Sequence, residues 1–407
     1  MAALAMLLSL SACDKNDSPT PEPEPVIQPG EPGVVFNNTL IIYMAGENSL
    51  ARFVDADSLE IARGAMRLPD SARVVVFIDD AKSSRICVAT KKAPLQTVRT
   101  FPRNITSTDS TEMLGVLNEI FTTYPARRYG LTFWSHASGW VLHQNPSQVR
   151  RRSYGIDNGK RDRYSNNGIE MEITTLAGVL QHLPHTDYIL FDACFMQCVE
   201  VAYELRHVTD WVIGSPAEIP GDGAPYQLML PLMCAKTPDV GAIAHCYHDY
   251  YNSGVGHDTY YGVVLSTIRT DKLDALAAAT KPHIVALYGD RHEALLDDVQ
   301  RYCPRDDDSY YTEYYDLASL MYRNLAADDY VQWRTVFDTA VPHVLCSENW
   351  YTALLGSSHM LTVDDAAHTG AVSMFTPGVN FDDRRHWNDT YHMFEWYRGA
   401  GFDQTGW

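Results

Sequence analysis

Apolar residues in this chain fall into short unbroken runs, separated by stretches of helical periodicity. Residues 39–45 (TLIIYMA), 73–79 (RVVVFID), 130–134 (GLTFW), 188–192 (YILFD) and 211–215 (WVIGS) are apolar nearly throughout. That is the pattern of strands covered on both faces. Between them, residues 49–66, 111–124, 171–183 and 196–207 carry apolar positions three and four apart, which predicts helices. Residues 85–90 and 96–101 predict a hairpin. All-apolar strands alternating with helices predict an α/β fold, a mostly parallel sheet flanked by helices. Beyond residue 236 the pattern is more helical, over 240–251, 272–288, 314–326 and 329–339, with strand-like pieces at 260–268 and 370–375. No internal repeat is visible, nor a linker after Gly33. The expected organisation is therefore a region over 34–235 with a more helical C-terminal region, 236–407, packed on it.

The 407 residues suffice for one large α/β domain with additions. With 32 Lys and Arg against 51 Asp and Glu, the net charge is −19. Such a chain repels phosphate backbones and anionic lipid, so nucleic acid is excluded as a partner. It would attract cationic substrates. Residues 1–13 (MAALAMLLSLSAC) form an apolar run ending in small residues and a cysteine, which resembles the lipobox of a bacterial lipoprotein signal peptide. Cys13 is then the expected lipidation site, on the periplasmic face or outer surface of a bacterial cell envelope. No Lys or Arg precedes the run, so the true start is expected slightly upstream. Residues 14–33 hold six prolines among acidic and small residues and read as an extended tether. Of eight cysteines, the lipid-bearing one leaves seven, so at least one thiol is unpaired. Their irregular spacing does not suggest a disulfide scaffold.

In an open α/β sheet the reactive crevice lies beyond the carboxyl ends of the strands. Two predicted strands end in conspicuous groups: one delivers Ser135-His136-Ala137-Ser138-Gly139-Trp140, the other Asp192-Ala193-Cys194. Cys194 stands where a strand is expected to hand over to a helix, whose N-terminus would favour the thiolate. His136 would protonate a leaving amine. Taken singly, a cysteine closing an apolar strand is usually a small core residue, and a lone histidine is usually structural. Cys198, one helical turn on, is expected to be buried filler. Cys194 and Cys198 lack the further ligands of a metal site. Ser135 and Ser138 lack the glycines of a serine nucleophile elbow.

Four segments occur in order: Tyr43-Met-Ala-Gly-Glu-Asn48, Ser135-His-Ala-Ser-Gly-Trp140, Phe191-Asp-Ala-Cys194 and Pro220-Gly-Asp-Gly223. Together they resemble the clostripain family of cysteine peptidases, which share their fold with caspases, gingipains and legumains. The likeness is clearest over residues 39–226. It implies a caspase-like fold and a cysteine endopeptidase acting on proteins or peptides with basic residues. It implies a catalytic pair of His136 and Cys194, and an oxyanion site formed by the backbone N–H groups of Ala137 and Cys194. It places Asp192 and Asp222 in a pocket for Arg or Lys before the cleaved bond. Ala137 departs from the family, where glycine commonly follows the histidine. Self-cleavage is expected within residues 141–170, with Arg150, Arg151 and Arg152 as candidates in a stretch that also holds Lys160, Arg161 and Arg163. No cofactor is implied as required; some relatives use calcium, for which Asp306 to Asp308 and Asp364-Asp365 are the acidic candidates. The competing expectation is an inactive envelope lipoprotein that binds peptide or glycan through Tyr310, Tyr311, Tyr314 and Tyr315.

Overall fold

A computed structural model describes residues 33–141, 153–253, 262–303, 314–353, 359–378 and 387–407. Its strands are β1 (Phe36–Ala45), β2 (Ala72–Asp79), β3 (Ser84–Thr90), β4 (Ala93–Thr100), β5 (Ala126–Trp134), β6 (Tyr154–Asp157), β7 (Ile169–Met171), β8 (Tyr188–Asp192), β9 (Trp211–Gly214), β10 (Val264–Arg269), β11 (Tyr315–Asp316), β12 (His343–Cys346), β13 (Asn349–Thr352), β14 (His359–Thr362) and β15 (Ser373–Met374). Nine of them make one sheet in the order β12-β10-β9-β8-β5-β1-β2-β3-β4. The middle five, β9-β8-β5-β1-β2, are parallel. The wings β10-β12 and β3-β4 run antiparallel to their neighbours.

Helices cover both faces: α1 (Val54–Ala65), α2 (Ser110–Thr123), α3 (Ile173–Leu180), α4 (Val199–Glu204), α5 (Tyr226–Met233), α6 (Val240–Asn252), α7 (Leu273–Tyr288), α8 (Leu317–Asn324) and α9 (Ala327–Ala340). Successive β1 side chains alternate between the layers. Leu40, Ile42 and Met44 join α1, α5 and α6; Ile41, Tyr43 and Ala45 join α2, α3, α4 and α7 to α9. Because both faces are buried, the runs read as continuously apolar. Each such aliphatic side chain contributes roughly 1.5–3 kcal/mol on burial.

The chain passes from β1 to β2 on one side, then returns through α2 to β5 on the other side of β1. Strand order therefore reverses between β1 and β5, the place where an open sheet leaves a crevice at its carboxyl edge.

Two expectations change. The helix predicted over 196–207 shrinks to α4, which begins at Val199 with Cys198 as its N-cap. Residues 193–198 instead bond back to the segment after β9, through Phe195 N–H to Ala217 O and Gln197 N–H to Ser215 O. Within the stretch read as polar and without period, the short pair β6 and β7 forms. Tyr154 and Ile156 are buried there, but three or four residues carry too little period to be read.

Candidate active site

Three parallel strands, β1, β5 and β8, end side by side, and the turns that follow them build the site. After β1, the buried Asn48 caps a short 3-10 turn, Ser49–Arg52, by accepting the Leu50 N–H. Its amide also donates to Ala45 O (2.9 Å) and Ile156 O (2.8 Å). After β5, Ser135 Oγ donates to Ala45 O at 2.7 Å, which ties the two strand ends together. His136 follows, its Nε2 2.9 Å from Ser49 Oγ. After β8, the turn Ala193-Cys194-Phe195 closes with Phe195 at φ +62°, a left-handed conformation costly for a bulky side chain. Phe195 is fixed there by its N–H bond to Ala217 O and by stacking on Tyr314 (4.5 Å between ring centres). Tyr314 also donates to Ser138 O at 2.6 Å, so one tyrosine braces both turns. Gly139, at φ +62°, completes the seam: an added Cβ would lie 2.4 Å from Phe195 O and 2.7 Å from Cys198 Sγ.

These turns enclose a cleft of about 330 Å³ lined by His136, Asp192, Cys194, Glu218 and Gly221 to Gly223, among others. The residues singled out at His136, Cys194, Asp192 and Asp222 therefore share one cavity. Each of His136 and Cys194 keeps a partial opening to it, yet the surrounding protein dominates their electrostatics. Burial, then the Glu218 carboxylate, pushes the Cys194 thiol up to about 12, against an opposing bond from Ile219 N–H. Burial and the Arg52 cation hold His136 down to about 4. At neutral pH the pair is thus thiol and neutral imidazole. The thiolate-favouring helix N-terminus expected at Cys194 is not there: α4 starts five residues later.

Asp192 is buried and heavily bonded. Its carboxylate accepts from Ala224 N–H (3.0 Å), Tyr226 OH (2.7 Å) and Tyr247 OH (3.0 Å). Burial nevertheless raises its pKa. Gly223, at φ +65°, passes so close that a Cβ would sit 2.8 Å from Asp192 Oδ2. Asp222, next to it, is exposed. Behind them lies Asp57 of α1, which the sequence reading missed. It is 2 % exposed, Trp134 bonds it, and burial with the nearby Asp192 charge raises its pKa to about 9. Glu218 accepts from Ala353 N–H (3.0 Å) and from Thr352 Oγ, drawing the β13 end to the cleft rim.

Around Ala137, Gly155 N–H donates to His136 O and Ser138 N–H to Ser153 O. That pairing leaves the Ala137 N–H outside the ladder. Ala137 is not among the residues with positive φ, so alanine adopts its backbone without strain. Among the described residues all seven cysteines are free, and Cys198 is buried with its thiol on Phe195 O at 3.1 Å. Tyr314 and Tyr315, expected at a binding surface, are 2 % and 5 % exposed; their rings complete the core instead. Tyr310, Tyr311, Arg150 to Arg152, Asp306 to Asp308 and Cys13 lie outside the described residues. Asp365 is exposed and bonded to His368. The acidic group that does come together is Glu47, Asp79 and Asp157, all buried, with oxygens within 4.8 Å of one another. Burial, then the Asp157 charge, raises the Asp79 pKa. Arg161 is seated on this cluster, donating to Asp79 Oδ1 at 3.1 Å and to Asp80 O at 2.7 Å while its N–H bonds Glu47. Its guanidinium supplies the cation there.

The sequence matches the clostripain family, the C11 peptidases, over residues 42–405. The chain belongs to the clostripain family. It is a cysteine-type endopeptidase by that membership, and the nine-stranded sheet is the caspase-like fold of C11 structures. A secreted C11 cysteine protease from Bacteroides thetaiotaomicron, solved with an irreversible peptide inhibitor, is 30% identical, with a TM-score of 0.76 over 90% of this chain and 99% of that one. An inactive zymogen C11 protease from Parabacteroides distasonis is 25% identical, with a TM-score of 0.73 over the same shares. A cysteine protease from B. fragilis is 34% identical over 59% of this chain and 96% of that one, with a TM-score of 0.53. A comparison with curated proteins gives no match. No helix among the described residues is long and apolar enough to cross a membrane.

Proposed function

We propose that this clostripain-family peptidase cleaves peptide bonds after Arg or Lys, with Cys194 as nucleophile and His136 as its acid–base partner. The reading rests on one observation above all: a single cleft at the strand-switch edge is lined by that thiol, that imidazole, Asp192 and Asp222. Since both groups are neutral at rest, His136 takes the thiol proton as sulfur attacks the carbonyl carbon, then returns it to the leaving amine. Ser49 Oγ accepts a hydrogen bond from the Nε2–H of the imidazolium formed in between, which fixes the ring and leaves Nδ1 for the transfer. The N–H groups of Ala137 and Cys194 receive the developing oxyanion. Water then attacks the thioester carbonyl and releases the acid product and the thiol.

Asp192 and Asp222 divide the work of selecting a cation. Asp192 already accepts bonds at both oxygens, so it acts by its charge and by holding the 220–224 loop. Asp222, exposed on that loop, is the carboxylate that pairs directly with a guanidinium or ammonium. Self-cleavage at Arg150 to Arg152 would present such a side chain from the same molecule. Cys13 would anchor the enzyme to an envelope membrane by lipid. The deciding experiment is turnover of a peptide with Arg before the scissile bond. Wild type should cleave it and Cys194→Ala should not; equal rates in both, or cleavage after Ala as fast as after Arg, would refute the proposal.

A further inference from the structure

A second cavity, of about 470 Å³, adjoins the cleft across the 3-10 turn that follows β1; Ser49 and Arg52 line both. We propose that it binds the residues following the cleaved bond and that it selects Asp or Glu there. This rests on the catalytic reading of Cys194 and His136 given above.

The direction of the substrate follows from the chemistry. The imidazole that returns a proton to the leaving amine must stand beside that nitrogen. The acidic recess at Asp192 and Asp222 lies in the first cavity, whereas His136 bonds Ser49, which lines both cavities. A peptide with its basic side chain in the recess therefore runs past His136, over Ser49 and into the second cavity.

The charge of the second cavity sets its preference. Its carboxylates are already engaged. Asp55 holds Lys82 at 2.6 Å, and Asp80 holds Arg85 at 2.9 Å while accepting the backbone N–H groups of Lys82 and Ser83. Two cations remain without a carboxylate partner among the described residues, Arg52 and Arg163, and both are exposed. Each guanidinium lies over an aromatic ring, Arg52 over Phe53 at 4.7 Å and Arg163 over Tyr164 at 5.0 Å. The rings leave the outer edges of the guanidinium groups available to a carboxylate. In a chain of net charge −19, this wall is locally positive. The enzyme would thus favour a bond with a base before it and acids after it, and each charge would reject the reversed order.

The test compares peptides that carry Arg before the bond and Asp-Glu, Ala-Ala or Lys-Lys after it, alongside an Arg amide of a fluorogenic amine that has no residues there. Wild type should prefer Asp-Glu over Lys-Lys by about tenfold in kcat/KM, the size expected of two exposed charge pairs. The preference should shrink severalfold in about 0.5 M salt. Arg163→Glu, with each rate divided by the same variant's rate on the amide, should lose or reverse it. Equal kcat/KM for the three peptides while the amide is turned over would overturn this inference alone. A preference insensitive to salt and to Arg163→Glu would do the same. Failure to turn over the amide as well would overturn the peptidase reading beneath it.

Discussion

Asp57 gives the sharpest test of the electrostatics behind the cleft. Its carboxyl is buried beside Asp192, one oxygen has no hydrogen-bond partner, and its pKa is raised to about 9. In the unfolded chain an aspartate ionises near pH 4. Between those values the folded state holds a proton that the unfolded state has lost, so stability falls as pH rises, by about 1.4 kcal/mol per pH unit. From pH 5 to pH 8 the loss amounts to about 4 kcal/mol, a large fraction of the 5–15 kcal/mol typical of a domain. Asp57→Asn keeps the shape and cannot ionise. Urea unfolding of wild type and variant, followed by tryptophan fluorescence at pH 5, 6.5 and 8, measures the difference. Buried acids that do not act on Asp57, such as Asp79 and Glu200 of α4, contribute to both proteins and cancel. The variant should gain about 4 kcal/mol relative to wild type across that range. A difference that stays constant with pH would show that Asp57 ionises normally and that the reasoning is wrong.

The remaining expectations are more local. Because His136 must be neutral to accept the thiol proton, and its pKa is held down to about 4, kcat/KM should stay on its plateau as pH falls and drop only near pH 4; an acid limb near 6.5 would contradict this. Ser49→Ala removes the Nε2 partner and should lower kcat by about threefold to tenfold with little change in KM, as measured by steady-state kinetics. Tyr314→Phe keeps the stack on Phe195 but loses the bond to Ser138 O, which should cost about 1–2 kcal/mol in urea unfolding. Arg161→Gln strips the cation from the Glu47, Asp79 and Asp157 cluster. A loss of about 2 kcal/mol is expected, reduced from the fully buried case because the guanidinium is partly exposed; an unchanged Tm would show that the cluster holds its own protons.

The five parallel strands were legible because sheets covered on both sides write themselves as unbroken apolar runs, as in 39–45 and 188–192. The helices α6, α7 and α9 carried enough turns to show their period. The turn at Cys194 was not legible. A phenylalanine at positive φ leaves no mark in sequence, and Met196 to Cys198 look helical although Gln197 N–H bonds to Ser215 O in the segment after β9. Tyr314 and Tyr315 read as surface residues because their hydroxyls are polar; Tyr314 is buried with its hydroxyl on Ser138 O, a partner 176 positions away. The grouping of Glu47, Asp79 and Asp157 arises from three separate strand ends, so no local spacing announces it. His136 and Cys194 stood out because each directly follows an apolar run.

The strand order has one more consequence. β5 and β8 are neighbours in the sheet, yet any break between Val141 and Ser153 would place them in different fragments. The pieces would stay joined through the ladder Gly130 to Trp134 against Tyr188 to Asp192, and through Asn48 reaching Ile156. Neither piece alone would contain both sulfur and imidazole. A nicked molecule would be an obligate pair of chains sharing one centre, and its activity on dilution in denaturant should disappear at the concentration where the fragments part.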